Sequence, residues 1–146
     1  MYNDRSNNNK SENKMALITW TEEQYGTKVG FADDEHKVLF DLLNKLYDLA
    51  TGGADRADIG SALDALIAYV VDHFAHEERE MQAKGYAGYD AHKVEHDALV
   101  GICADLQKKF HAGDADVTED TGALVKGWLD SHIPAFDMPY ADALNS

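Results

Sequence analysis

The stretch HFAHEEREM, residues 73 to 81, sets His73 and Glu77 four residues apart, and AHKVEH repeats the interval with His92 and His96. Side chains at i and i+4 of a helix lie one turn apart on the same face, so each pair can point at one centre. Imidazole and carboxylate at that spacing are metal ligands in kind. A lone histidine on an apolar stripe is usually a core residue with a hydrogen-bonded ring. Number changes the balance. His36, His73, His92, His96 and His132 all fall on apolar stripes, and Glu77 shares the stripe of His73. Buried together, these groups would need many separate hydrogen-bond partners. A metal satisfies them jointly.

Four helical segments must position these groups. The first is expected to start at DDEH, with Asp33 or Asp34 capping free N–H groups and Glu35 favoured by the helix dipole. It carries His36, Leu39, Leu43, Leu46 and Ala50 at three- and four-residue steps and stops at TGG. The second runs from Asp58 to Lys84, with Ile59, Leu63, Leu66, Val70, His73, Glu77 and Met81 on one stripe and Gly85 as its stop. The third covers Asp90 to His111, aligns His92, His96, Leu99, Cys103, Leu106 and Phe110, and ends at Gly113. The fourth runs from Thr118 to Ile133 with Thr121, Val125, Trp128 and His132 in line, flanked by Leu124 and Leu129. Short polar loops and the lack of strand alternation predict an all-α, antiparallel up-down four-helix bundle. Residues 15–32 are expected to form an ordered N-terminal arm without helical periodicity, and the segment after the fourth helix to form a short tail.

His132 and Asp137 are five apart, an interval that a continuous α-helix places on diverging faces. Pro134 is expected to interrupt the helix and let Asp137 swing back toward the axis. The ligand set is then His36, His73, Glu77, His92, His96, His132 and Asp137. One zinc needs four ligands, and no cysteine pair builds a structural zinc site. Calcium and magnesium prefer oxygen donors. Two six-coordinate first-row metals fit, and imidazole points to iron.

Composition narrows the class. The chain has 146 residues, 45% hydrophobic and 27% charged, as befits one soluble domain with a core of its own. A formal net charge of −14 opposes nucleic acid and anionic membrane surfaces. The single cysteine, Cys103, forms no intrachain disulfide, which suits a reducing cytoplasm, and is expected to be a small core residue. No apolar run is long enough to cross a bilayer. Residues 1–14 are polar, Asn-rich and without a secretory h-region, and are expected to be a disordered leader or an upstream extension ahead of a domain spanning 15–146, with MALITW as a natural start.

The motifs DDEHKVLFDLLN, HFAHEEREM, AHKVEH and WLDSHIPAFD resemble those of the bacterial hemerythrins, from Met15 to the end. The resemblance implies two iron ions, with His92, His96 and His132 on one and His36 and His73 on the other. Glu77, Asp137 and a solvent-derived oxo or hydroxo oxygen would bridge them. Five imidazoles, two bridging carboxylates and a bridging oxygen fill all but one position around two octahedral irons. The vacancy lies on the iron held by His36 and His73, and end-on dioxygen binding there is favoured over O–O cleavage. The implied function is reversible dioxygen binding, for storage, transport or delivery to an oxygen-consuming enzyme, in a cytoplasmic monomer. Oxygen or redox sensing ranks lower, because a sensor needs an output module. So does a di-iron oxidase or peroxidase, because coordination is nearly saturated, although weak side activity is open to any such centre.

Trp128 and Leu129 resemble the family's apolar oxygen-pocket wall, a position in which ordinary core packing would also place them. Tyr140 is a candidate outer partner of the metal ligands. His76 and His111 lie off the stripes and are expected at the surface.

Overall fold

The computed structural model describes residues 16–146, so the expected leader and the start at Met15 lie outside the described residues. In chain order the elements are α1 (Glu22–Tyr25), α2 (Gly30–Thr51), α3 (Arg56–Ala83), α4 (Tyr89–His111), α5 (Glu119–His132), a π-helical turn (Ile133–Asp137) and α6 (Ala141–Leu144). The four long helices are the four expected from the periodicity. Helix α2 packs on α3, α3 on α4, and α5 closes against α2. Short connections make sequential neighbours run antiparallel. No helix among the described residues is long and apolar enough to cross a membrane.

The arm is pinned rather than merely adjacent. Ile18 N–H donates to Asn44 Oδ1 at 3.0 Å, and Asn44 Nδ2 donates to the Ile18 carbonyl at 2.8 Å, so one side chain of α2 mimics a strand partner. Tyr25 lies edge-on to Phe40 with centroids 4.8 Å apart, and its hydroxyl reaches Asp130 on α5. The arm is not wholly irregular: it contains the single turn α1, capped by Thr21 Oγ1 accepting from Gln24 N–H.

Helix α2 begins earlier than the acidic residues suggested. Its N-cap is Val29, which offers no side-chain hydrogen bond. Asp33 caps nothing; its Oδ1 accepts from the Thr27 N–H at 2.9 Å and the Thr27 hydroxyl at 2.8 Å, tying the helix to the preceding loop. The expected stops hold. Gly85 takes φ +64°, and the pair Gly85 N–H to Gln82 carbonyl and Tyr86 N–H to Met81 carbonyl closes the end of α3. A left-handed residue is needed there, and glycine supplies it without a Cβ clash. Thr118 caps α5 in a reciprocal box with Thr121. Gly122 lets α5 approach α2, since a Cβ there would stand 2.6 Å from Cδ1 of Tyr47.

Leu39, Leu43, Leu63, Leu66, Val70, Leu99, Val125 and Leu129 form the main core at the bundle axis. Each such side chain, once buried, contributes about 1.5–3 kcal/mol. Val29, Ala32, Met81, Tyr140 and Leu144 form a second, smaller cluster beneath the C-terminal segment. Cys103 lines a small apolar cavity of about 20 Å³ with Leu46, Leu66 and Val125, and burial pushes its thiol up to about 11. It is a packing residue, as expected.

Candidate metal centre

Between the two apolar clusters lies a polar layer. Apart from Thr27, the buried polar or charged side chains among the described residues are His36, His73, Glu77, His92, His96, His132 and Asp137. These are the six residues drawn from the stripes together with Asp137. Helix α2 supplies His36; α3 supplies His73 and Glu77; α4 supplies His92 and His96; α5 and its extension supply His132 and Asp137.

The proline does not break the last of these elements. Pro134 has no N–H to continue the α pattern and crowds the carbonyl four residues back, so the chain opens into a wider turn in which Met138 N–H donates to the Ile133 carbonyl at 3.0 Å. That extra residue per turn brings Asp137 beneath His132, with His132 Nε2 3.1 Å from Asp137 Oδ1. The expectation that Asp137 swings inward is met by a π-turn, not by an interruption.

The two carboxylates face two ways. On one side, His92 Nε2 stands 2.8 Å from Asp137 Oδ1, and His96 Nε2 stands 3.2 Å from Glu77 Oε1. His92 and His132 bring their Nε2 atoms within 3.1 Å of each other. On the other side, His36 Nε2 lies 3.0 Å from Asp137 Oδ2, and His73 Nε2 lies 3.4 Å from Glu77 Oε2. Two metal-sized groups result: Glu77, His92, His96, His132 and Asp137 in one, and His36, His73 and Glu77 in the other.

The donor set fits cations. His73 Nε2, His96 Nε2, Glu77 Oε1 and both carboxylate oxygens of Asp137 are buried without a hydrogen-bond partner among the described residues. An array of this kind is costly unless a positive charge satisfies it. Burial pushes His73 down, but the Glu77 charge and the Glu35 hydrogen bond outweigh it and raise the imidazole to about 10. Burial pushes Asp137 up, yet the imidazoles of His132, His36 and His92 close beside it hold it well below the usual carboxylate range. Glu77 is likewise held low: burial and the Asp137 charge oppose its ionisation, and His73 and His96 prevail.

Around this layer lies a set of supports, of which the sequence pointed only to Tyr140. The Tyr140 hydroxyl donates to Glu77 Oε2 at 2.6 Å, and its ring stacks on His92 at 5.6 Å and 11°. Glu35 accepts from His73 Nδ1 at 2.7 Å and from His76 Nδ1 at 2.7 Å. Burial favours the neutral acid at Glu35, but these two bonds hold it below its ordinary value. Glu78 accepts from His96 Nδ1 at 2.8 Å. Glu35 and Glu78 adjoin the candidate ligands His36 and Glu77 in sequence, and local spacing gives no signal for them, since each reaches across to another helix. His76 carried a signal: it lies three residues after His73, on a neighbouring face of the same helix. It is half-buried rather than a free surface residue. His111 is exposed, as expected, and bonds Asp64 at 2.7 Å.

Apolar rings seal the three-histidine side. Trp128 stacks on His132 with centroids 4.1 Å apart at 16°, and Phe74 stacks on His96 at 3.7 Å and 2°. Leu129 is buried in the main core beside them, while Trp128 is half-buried.

Comparison with known proteins accords with this geometry. The family described as the hemerythrin HHE cation binding domain matches residues 27–142. A bacteriohemerythrin of Methylococcus capsulatus is 60% identical over 132 residues, covering 90% of this chain and all of that protein. A hemerythrin of Themiste dyscrita is 38% identical over 108 residues, covering 74% of this chain and 78% of that protein. The crystal structure of a wild-type hemerythrin superposes with a TM-score of 0.87 at 60% identity, covering 90% of this chain and 100% of that one. The chain therefore belongs to the hemerythrin family, and the expectation of a dioxygen-binding protein with a di-iron site is borne out with it.

Proposed function

We infer that this protein binds dioxygen reversibly at two iron ions, one held by His92, His96 and His132 and the other by His36 and His73, with Glu77 and Asp137 bridging. The observation that carries the assignment is the division of each carboxylate: Glu77 Oε1 and Asp137 Oδ1 face three imidazoles, and Glu77 Oε2 and Asp137 Oδ2 face two. With three imidazoles on one side and two on the other, the two-histidine side would leave a bound iron room for dioxygen. When bound, the iron pair supplies two electrons that dioxygen takes up and returns on release.

The protein's own part is to position and to exclude. Five neutral imidazoles offset less positive charge than carboxylates would, which disfavours high-valent chemistry and favours carriage over turnover. Tyr140 keeps its proton: burial and the adjacent Glu77 charge push its pKa far above the ordinary value, so the hydroxyl remains a donor to Glu77 Oε2. Trp128 and Phe74, stacked on His132 and His96, exclude water from the three-histidine side, and Leu129 belongs to the main core.

Residues 15–146 act as one domain that stores or transports oxygen in the cytoplasm, or delivers it to an oxygen-consuming enzyme. A monomer fits the surface: its exposed large apolar residues, Val38, Val71, Val94, Ile102 and Leu124, are distributed over four helices. The test is an absorption titration with iron quantitation. Reduced anaerobically, the protein is expected to colour in air and bleach under vacuum, with about two irons per chain. Passage to an inert diferric state in every cycle, or one zinc per chain, refutes the reading. Steady consumption of a reductant would place the protein among the di-iron enzymes instead.

A further inference from the structure

His76 ligates nothing in the assignment above, yet it is tied to the centre through a single carboxylate. Glu35 on α2 lies between two imidazoles of α3, its Oε1 2.7 Å from Nδ1 of His73 and its Oε2 2.7 Å from Nδ1 of His76. Carboxylate oxygens accept, so both ring nitrogens donate. With its proton at Nδ1, His73 is left with Nε2 as the metal-binding nitrogen, and that atom lies 3.4 Å from Glu77 Oε2. The ring of His76 also lies tilted against Phe31, with centroids 4.0 Å apart at 30°.

Glu35 is about a quarter exposed and His76 about a third, whereas His73 is sealed. A glutamate at such a border can point to water in many rotamers. Bound by His76 at its second oxygen and by His73 at its first, it has its orientation fixed by the fold.

The two sides of the centre depend on such support to different degrees. On the three-histidine side, His96 is backed by Glu78 at 2.8 Å, which is held by Lys93 at 3.7 Å, and two further imidazoles remain. On the two-histidine side, Nδ1 of His36 has no partner among the described residues, so His73 is the sole carboxylate-backed imidazole there. A carboxylate behind a ligating imidazole fixes its tautomer and strengthens its donation to the metal.

We propose that Glu35 is a positioning residue for the iron held by His36 and His73, and that His76 acts through it as a clamp. This rests on the assignment of those two histidines to a separate iron. The test uses the full chain loaded anaerobically with ferrous iron and challenged with the chelator ferrozine, following each iron separately. In Glu35→Ala, one iron per chain is expected to leave about 10–100-fold faster than in the parent, while the second leaves at the parent's rate. His76→Ala should quicken the same phase by a smaller factor, and His76→Asn, which keeps a donor near the Nδ1 position, should restore it.

Unchanged release from both alanine variants overturns the proposal, as does equal acceleration of both irons, which marks general loosening. So does His76→Asn behaving like His76→Ala. A parent protein that carries only one iron, or releases both in a single phase, defeats the assignment to separate irons, and this inference falls with it.

Discussion

Tyr140 donates its hydroxyl to Oε2 of Glu77 at 2.6 Å, with neither side chain open to solvent. The bond joins the C-terminal segment to α3 and satisfies the carboxylate oxygen that faces the two-histidine side. Tyr140→Phe keeps the ring on His92 and removes only the donor. Metal-free protein carrying this change should lose about 1.5–3 kcal/mol, the usual worth of a hydrogen bond to a charged group. Urea unfolding of the metal-free forms measures it, and an unaltered midpoint would show that Glu77 finds another donor at no cost.

Glu77 and His73 stand one turn apart on α3, and the proposed roles assign them different losses. His73→Ala removes one terminal ligand on one side and should leave the three-histidine side loaded, so iron content falls toward about one per chain. Glu77→Ala removes an oxygen from both sides and should leave less than about one. Iron quantitation after gel filtration distinguishes them. Equal iron in Glu77→Ala and the parent contradicts the bridging role.

The candidate ligands within continuous helices were legible because helical periodicity is local. His73 with Glu77, and His92 with His96, follow from a repeat that any α-helix enforces, and burial follows from the apolar residues in line with them. Asp137 was legible only in outcome: its inward turn was foreseen, but the π-turn that produces it depends on how the chain relieves Pro134, which spacing does not reveal. Asp33 does not cap α2, because its partner, Thr27, lies six residues back in a loop. Glu35 and Glu78 stayed hidden for a stronger reason. Each serves an imidazole on another helix, and such pairings exist only after the bundle has formed.

Acidity should act on the metal-free and loaded proteins in different ways. In the metal-free protein His73 is raised to about 10 from 6.5, so its stabilisation is complete below about pH 6.5 and is lost as pH rises through 10. Glu77 and Asp137 are depressed, so their stabilisation is present above the ordinary carboxylate range and is lost as pH falls below it. His132, depressed mainly by burial, costs stability as pH falls below 6.5, so metal-free stability should peak near pH 6.5 and decline on the alkaline side. With iron in place of the His73 proton, the loaded protein should lack that alkaline decline. Urea midpoints of both forms across this range decide the matter; parallel curves would mean that proton and metal do not exchange at His73.

Pro134 offers the sharpest separation of site from stability. It removes one backbone donor and widens the turn so that Asp137 Oδ1 comes to 3.1 Å from His132 Nε2 and 2.8 Å from His92 Nε2. With alanine at this position, the N–H returns and the ring no longer crowds the preceding turn. A regular α-helix can then continue, displacing Asp137 by about one residue, or roughly 100° around the helix. Pro134→Ala is expected to keep the metal-free protein at least as stable as the parent, since helix propensity improves at that position. Iron retention should nevertheless fall on both sides, because Asp137 supplies an oxygen to each. If Pro134→Ala holds about two irons with parental release rates, the π-turn is set by the packing of Ile133 and Tyr140, and the proline is incidental to it.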